Sequence, residues 1–455
     1  MTKQQRLILL VSILASFVSF LDGFVVNVAL PAISRELGGG LVVQQWVVNA
    51  YLITLGALML LAGSLSDVLG RKKVLWLGLV GFGVASILCA LAPSGLFLVG
   101  ARGLQGVAGA LLVPSSLALI ISGFSGSAQG KAIGTWTGWT GIAAVIGPLV
   151  GGVIVDSASW RYIFAINIIP ILVTLWLMRR IEVEEKKREV PLDIVGALLG
   201  ALGLGGVVFG LIQQEQWGWR HPAVVSAVLG GVVLLVSFLA YERRTKHPML
   251  PLGIFRIRNF SVGNVATVFV YAALGLSSFM ITIFVQQVAG FSALEAGMMF
   301  LPVTVVMFFG SSLAGKWAGR VGSRWFMATG PLLMAAGFLS MLRATLPLNY
   351  WTEILPGVLL FAVGLCVTVA PLTSAVLGSI SSKQAGIGSA VNNAVSRVAT
   401  LVAVAAIGVI TGPLVSLGAF QRGLVAIATL AALGGVVSAI GIRNTARETT
   451  QVTAG

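Results

Sequence analysis

Apolar runs long enough to cross a lipid bilayer follow one another along almost the whole of this chain. They fall near residues 7–30, 43–65, 74–92, 96–121, 131–155, 161–178, 192–213, 222–241, 260–285, 296–317, 325–343, 353–377, 385–411 and 419–441. A spanning helix needs roughly 20 mostly apolar residues, so about fourteen spans are predicted. The stretch Trp217 to Pro222 separates the runs 192–213 and 222–241, and without that pair about twelve spans would remain. With 57% hydrophobic and 9% charged residues in 455, and a mean hydropathy of +0.99, no soluble core could absorb the chain. The bilayer is therefore the expected solvent. The first run is too long for a signal peptide, contains Asp22 and lacks a small-x-small cleavage site, so it reads as the first span.

The net charge of +15 raises the question of nucleic-acid binding, which the placement of the basic residues answers. With the N-terminus inside, the inner loops hold Lys3, Arg6, Arg71 to Lys73, Lys131, Arg179, Arg180, Lys186 to Arg188, Arg243, Arg244, Lys246, Arg256, Arg258, Lys316, Arg320, Arg324, Lys383, Arg443 and Arg447. The outer loops hold Arg35, Arg161, Arg220, Arg343 and Arg422. This asymmetry is the positive-inside pattern, with both termini cytoplasmic, and it forms no groove for nucleic acid. Cys89 and Cys366 lie far apart in apolar runs and read as core thiols. His221 and His247 are loop residues without metal-ligand companions, and no nucleophile triad or phosphate loop is visible, so neither a cofactor nor an enzymatic activity is expected.

Polar residues inside the spans carry the functional reading, because the membrane makes them costly. Asp22 sits within the first span and should face the bundle interior, either paired with a cation or holding a proton. Arg102, Gln105 and Gly109 share one face of the fourth span. Arg397, following Asn392 and Asn393 in the thirteenth, is the matching oddity late in the chain, and helix packing or substrate contact fits it equally. In the fifth span Ala143, Gly147 and Gly151 recur every four residues beside Pro148, which predicts a tight, kinked helix contact. Trp136, Trp139, Trp46 and Tyr51 lie near span ends, as interfacial anchors or as an aromatic wall for flat or cationic compounds.

Internal repetition is faint. Gly63 to Lys73, with Asp67, Gly70 and Arg71, and Gly315 to Arg324, with Arg320 and Gly322, both follow spans that cross inward. They mark equivalent points of two halves related by pseudo-symmetry.

These residues resemble the major facilitator superfamily, and within it the fourteen-span drug:proton antiporter branch of QacA/EmrB-like transporters. The segments that carry the resemblance are Leu21 to Pro31, Trp46 to Tyr51, Gly63 to Lys73, Arg102 to Gly106, Ala143 to Gly152 and Trp160 to Asn167. Val68 stands where a basic residue is usual, and Gly319 replaces an expected Asp. The resemblance implies proton coupling through Asp22 and Arg102. It implies a conformational switch at Gly63, Asp67, Gly70, Arg71 and Arg320, and an antiporter hinge at Gly147, Pro148, Gly151 and Gly152. Exporters of divalent cations in the family carry further acids in later spans, whereas Glu295 and Glu353 here lie near span ends.

The expected fold is an all-α major facilitator bundle: a six-helix half over residues 1–180, a linker with two inserted helices over 181–258, and a second six-helix half over 259–455. The expected function is proton-coupled efflux of amphipathic compounds, monovalent cations or neutral molecules, by a monomer in the plasma membrane. Asn27, Trp46, Tyr51, Gln105, Trp136, Trp139, Asn392, Asn393 and Arg397 are the candidate cavity residues. The partners are the small-molecule substrate, protons and the bilayer, with an adaptor protein undetermined by the sequence. A dedicated lipid or metabolite exporter is the alternative.

Overall fold

A computed structural model describes residues 1–182, 192–380, 384–412 and 416–444. Lys186 to Arg188, Lys383, Arg447 and the side chain of Asp67 lie outside the described part. The spans are Lys3–Leu37 (α1), Gly40–Leu69 (α2), Arg71–Ala90 (α3), Gly95–Gly123 (α4), Gly126–Ser157 (α5) and Tyr162–Met178 (α6). They continue as Ile194–Trp217 (α7), Pro222–Glu242 (α8) and Arg258–Gln287 (α9). Next come Ala293–Met298 followed by Leu301–Val321 (together α10), Ser323–Ser340 (α11), Leu355–Leu377 (α12), Ala385–Ala405 (α13) and Leu417–Gly441 (α14). Among the described residues 13 helices are long and apolar enough to cross a membrane, and α6 is the shorter fourteenth. The chain is a multi-pass membrane protein.

The helices overrun the apolar runs because polar residues cap and extend them. Thr2 and Gln5 form a capping box at the start of α1, and Ser292 and Glu295 do the same for α10. Glu295 is thus a local cap. Glu353 organises a loop by accepting bonds from Thr345 Oγ1, 2.7 Å, and Asn349 N, 3.0 Å. The expected span 296–317 is broken after Met298, ahead of Pro302, which has no N–H to continue the ladder. The span 385–411 ends at Ala405, and a separate turn, Ile407–Thr411, follows.

Helix contacts repeat along the chain. In the first six helices α1 packs on α4, α5 and α6, and α4 packs on α2 and α3. In the last six α9 packs on α12, α13 and α14, and α12 packs on α10 and α11. The α2–α3 and α10–α11 junctions match as well: each is one glycine with positive φ, Gly70 at 98° and Gly322 at 99°. The two groups meet through α1 on α9, α2 on α13, and α5 on the first segment of α10. Helices α7 and α8 pack on each other at Gly203, Gly206 and Gly231, and α7 lies along the seam between α2 and α13.

Both ends of the described chain lie on one face, here called the terminal side. Gln4 Nε2 donates to the Arg180 carbonyl, 3.2 Å, Lys72 Nζ to the Ile181 carbonyl, 2.6 Å, and Asn259 Nδ2 to the Arg443 carbonyl, 2.8 Å. The opposite side is closed. There the Asp156 carboxylate accepts from Ala293 N and Leu294 N at 3.1 and 2.8 Å, capping α10 from the end of α5. Gln45 Nε2 donates to the Val404 and Ala405 carbonyls at 3.0 and 3.1 Å, tying α2 to α13.

Candidate functional site

Asp22 lies midway along α1 and is fully buried, and its carboxylate is answered by three side chains from two other helices. Arg102 Nη1 of α4 donates to Oδ2 at 2.5 Å, while Gln105 Nε2 of α4 and Asn167 Nδ2 of α6 each donate to Oδ1 at 2.9 Å. Gln105 and Asn167 also reach Ser86 Oγ of α3, at 3.0 and 3.3 Å. Spacing on α4 places Arg102 and Gln105 on one face, and Arg102 Nη1 donates to Gln105 Oε1 at 2.6 Å.

Helix α2 completes the shell. Arg102 Nε donates to the Val47 carbonyl, 3.0 Å, and its Cζ lies 4.3 Å from the centre of the Tyr51 ring. The Tyr51 hydroxyl lies 2.9 Å from Ser19 Oγ of α1. Gly106 permits this approach, since a Cβ there would run into the Tyr51 carbonyl and Thr54 Oγ1. The cluster therefore joins α1, α2, α3, α4 and α6. It balances one negative against one positive charge in a setting where loss of either partner leaves an uncompensated buried charge. The Cys89 thiol, buried as expected, lies 3.6 Å from Gln105 Oε1.

Tyr51 and Gln105, both candidate cavity residues, are part of the Asp22–Arg102 cluster. In this conformation the Asp22 carboxylate is enclosed by Arg102, Gln105 and Asn167. Asn167 and Ser86 were not anticipated as site residues. A single amide inside the apolar run 161–178 was the available signal for Asn167, whereas Ser86 is indistinguishable from any small residue in a membrane helix.

The other candidates are dispersed. Asn27 Nδ2 donates to Ser278 Oγ of α9 at 3.3 Å, across the gap between the two groups of helices. Trp46 packs on Phe209 of α7, with ring centres 6.0 Å apart, and so faces the inserted pair. Trp136 Nε1 donates to Ser16 Oγ of α1 at 3.0 Å, and Trp139 is half exposed on α5. Asn392 Nδ2 donates to Asn264 Oδ1 and Thr267 Oγ1 of α9 at 3.1 and 2.9 Å, and Asn393 Nδ2 to its own helix at Ser389 O, 3.0 Å. Arg397 sits over the ring of Phe20 on α1, at 5.2 Å.

The glycine–proline segment of α5 remains helical through Pro148 and makes two close contacts. A Cβ at Gly147 would lie 2.8 Å from Phe24 Cβ, and one at Gly151 2.6 Å from Val25 Cγ2, both on α1. A Cβ at Gly152 would lie 2.6 Å from Leu294 Cα of α10. At the terminal-side junctions Gly63 faces open space and Arg320 is exposed in the last turn of α10, while Gly70 makes the turn into α3, which begins at Arg71.

Comparison with known proteins places this arrangement. The family model of the Major Facilitator Superfamily matches residues 12–194 and again 192–404. Puromycin resistance protein pur8 of Streptomyces alboniger is 34% identical over 412 residues, 89% of this chain and 81% of that protein. The methylenomycin A resistance protein of Bacillus subtilis is 32% identical, covering 89% and 87%, and the multidrug resistance protein Stp of Mycobacterium tuberculosis is 31% identical, covering 90% and 76%. Among solved structures, an autoinhibited POT family peptide transporter superposes with a TM-score of 0.70 at 16% identity, over 98% of this chain and 99% of that one. The xylose transporter XylE of E. coli, partially occluded and inward open, gives 0.67 at 17%, over 98% and 99%. The latter two likenesses establish the fold, and the sequence relatives establish the branch. This chain belongs to the Major Facilitator Superfamily, in the fourteen-span group of drug-resistance transporters, and is not an enzyme.

Proposed function

We propose that this protein exports amphipathic small molecules in exchange for protons, from a plasma membrane in which both termini face the cytoplasm. Residues 1–180 and 259–455 act as two rocking halves, and 181–258 supplies the linker and the inserted pair, in the alternating-access scheme of transporters built from repeats. The observation that carries the reading is the buried Asp22–Arg102 pair, held within one half beside the interface with the other.

A proton on Asp22 would cancel the ion pair and weaken the bonds that Gln105 and Asn167 donate to a carboxylate. Because those partners sit on α4 and α6, protonation would loosen α1 against both. Helix α1 also touches α9 of the other half, so a change at Asp22 is transmitted to the interface without any contact between substrate and the acid. The contact of Gly152 with the first segment of α10 serves as the closure opposite the terminal side, the packing of Gly147 and Gly151 against α1, beside Pro148, as the hinge behind it, and the Gly70 and Gly322 junctions as the pivots on the terminal side. The names of the relatives support drug-like substrates for this chain.

The test is gradient-driven transport in proteoliposomes, comparing the native chain with Asp22→Asn for puromycin, methylenomycin A and ethidium. Native transport that follows the imposed pH gradient, with loss of that dependence in the variant, supports the proposal. A variant driven as strongly as the native chain would make Asp22 a structural anchor and move the coupling elsewhere.

A further inference from the structure

Arg397 lies towards the middle of α13, away from both helix ends. It grows from a backbone packed close to α2, where a Cβ on Gly56 would be 3.7 Å from the Arg397 Cβ, and its guanidinium reaches to Phe20 of α1. Three residues further along α13, Thr400 Oγ1 donates to the Tyr271 carbonyl of α9 at 3.2 Å. Arg397 therefore stands where α1, α2, α9 and α13 converge, half-buried, at the interface between the two groups of helices.

Among the described residues no carboxylate pairs with it. Asp22 pairs with Arg102, and Glu36 with Arg161. Asp22 is the one acid near the middle of a described span, and its oxygens are already engaged by Arg102, Gln105 and Asn167. Asp156, Asp193, Glu215, Glu242, Glu295 and Glu353 all sit at or near helix ends. The face of a phenylalanine returns only part of what a guanidinium loses on leaving water. A cation held at this depth is by default part of a functional site and calls for a partner.

The neighbouring surface says what the rest of that partner is. Phe17, Phe20 and Phe24 recur at helical spacing on α1 and are all partly open, and Gly23 between them leaves space, since a Cβ there would meet nothing within 4 Å. Tyr271 and Leu274 of α9 are partly open as well. The α1 surface thus carries a strip of three partly open aromatic rings with Arg397 over the middle one and, among the described residues, no carboxylate paired with that charge.

We propose that Arg397 selects the substrate by charge: the transported compound has an aromatic or apolar body that lies along Phe17, Phe20 and Phe24, and an acidic oxygen group, a carboxylate or phenolate, that takes the guanidinium. Planar, two-pronged recognition of such a group is what arginine does best. A cationic compound in the same place meets like charge without compensation. This deepens the exporter reading and rests on it.

The experiment uses three probes with one fluorophore, 6-(NBD-amino)hexanoate, its methyl ester and 6-(NBD-amino)hexylamine, titrated against the purified full-length protein by fluorescence. The acid is expected to bind about ten- to a hundredfold more tightly than the amine, the range for a charged hydrogen-bonded contact. Arg397→Gln should bring acid and amine to within about threefold of each other, and Arg397→Lys should keep most of the preference. Unchanged binding of the ester shows that a variant is folded. Equal or tighter binding of the amine by the native chain overturns the proposal, and so does an equal loss of all three probes in Arg397→Gln, which makes the residue structural. Gradient-driven movement of the same probes in proteoliposomes separates the two readings. Movement without charge preference refutes the role of Arg397 and leaves the exporter standing, whereas charge-selective binding with no gradient-driven movement of any probe counts against the exporter.

Discussion

Replacing Gly152 by alanine should open the side of the protein opposite its termini. The new Cβ would lie 2.6 Å from Leu294 Cα and 2.8 Å from both Ala293 O and Leu294 N. Carbon atoms rest about 3.5–4.0 Å apart, so the overlap with Leu294 is about 1 Å, and it is with backbone, which has no rotamer to turn away. Overpacking of this kind costs roughly 1–3 kcal/mol. The cost applies only while α5 and the first segment of α10 touch, so it shifts the equilibrium between closed and open by about 5- to 150-fold. Spin labels at the exposed positions Ala158 and Gln287 report the separation of the two groups of helices at this end by pulsed electron resonance. The expected result is a new population at longer distance. Gly138→Ala on the same helix is the control, because its Cβ would meet nothing within 4 Å and should leave the distribution unchanged. An unaltered distribution in a well-folded Gly152→Ala protein would refute the idea that this contact holds the closed end.

Arg102→Ala should cost about 3–5 kcal/mol of stability by leaving Asp22 buried and unpaired, and Asp22→Asn in the same chain should recover part of it; thermal unfolding in detergent measures both. Glu242→Gln should raise stability by about 1 kcal/mol. Asp193 and Glu242 are both buried, each has an oxygen without a partner, and both approach the Gly196 position, so an amide donor in place of one acid satisfies the other. A lowered unfolding temperature in Glu242→Gln would show that a shared proton already joins the pair.

Run length was enough to read the spans, because the bilayer sets one length for every crossing and the apolar residues repeat it. Helix ends were less legible. Thr2, Ser292 and Glu295 extend helices by capping, which hydropathy does not register, and the break ahead of Pro302 depends on a missing N–H and not on polarity. Asp22 and Arg102 could each be singled out as a charge that lipid would not tolerate. That Gln105 and Tyr51 would serve those charges was hidden, since an amide or a phenol suits a substrate wall as well as an ion pair. Their partners come from α1 and α3, far away in sequence. Trp46 shows the same limit. Its neighbour Phe209 lies in the inserted pair, and nothing in the local pattern says against which helix that pair is laid.

The placement of α7 along the α2–α13 seam has a bearing on the route by which a greasy molecule can arrive. Besides the α1–α9 contact, the two groups of helices meet at α2–α13 and at α5–α10, and the inserted helices stand as a fence between the first of these and the surrounding lipid. The α5–α10 contact has no such cover among the described residues: its two sides touch at the first segment of α10, and the α5 surface from Gly126 to Gly141 is largely exposed on the terminal side. Among the described residues only one of these two contacts is screened from lipid, and the fourteen-helix plan makes the protein asymmetric towards the membrane around it.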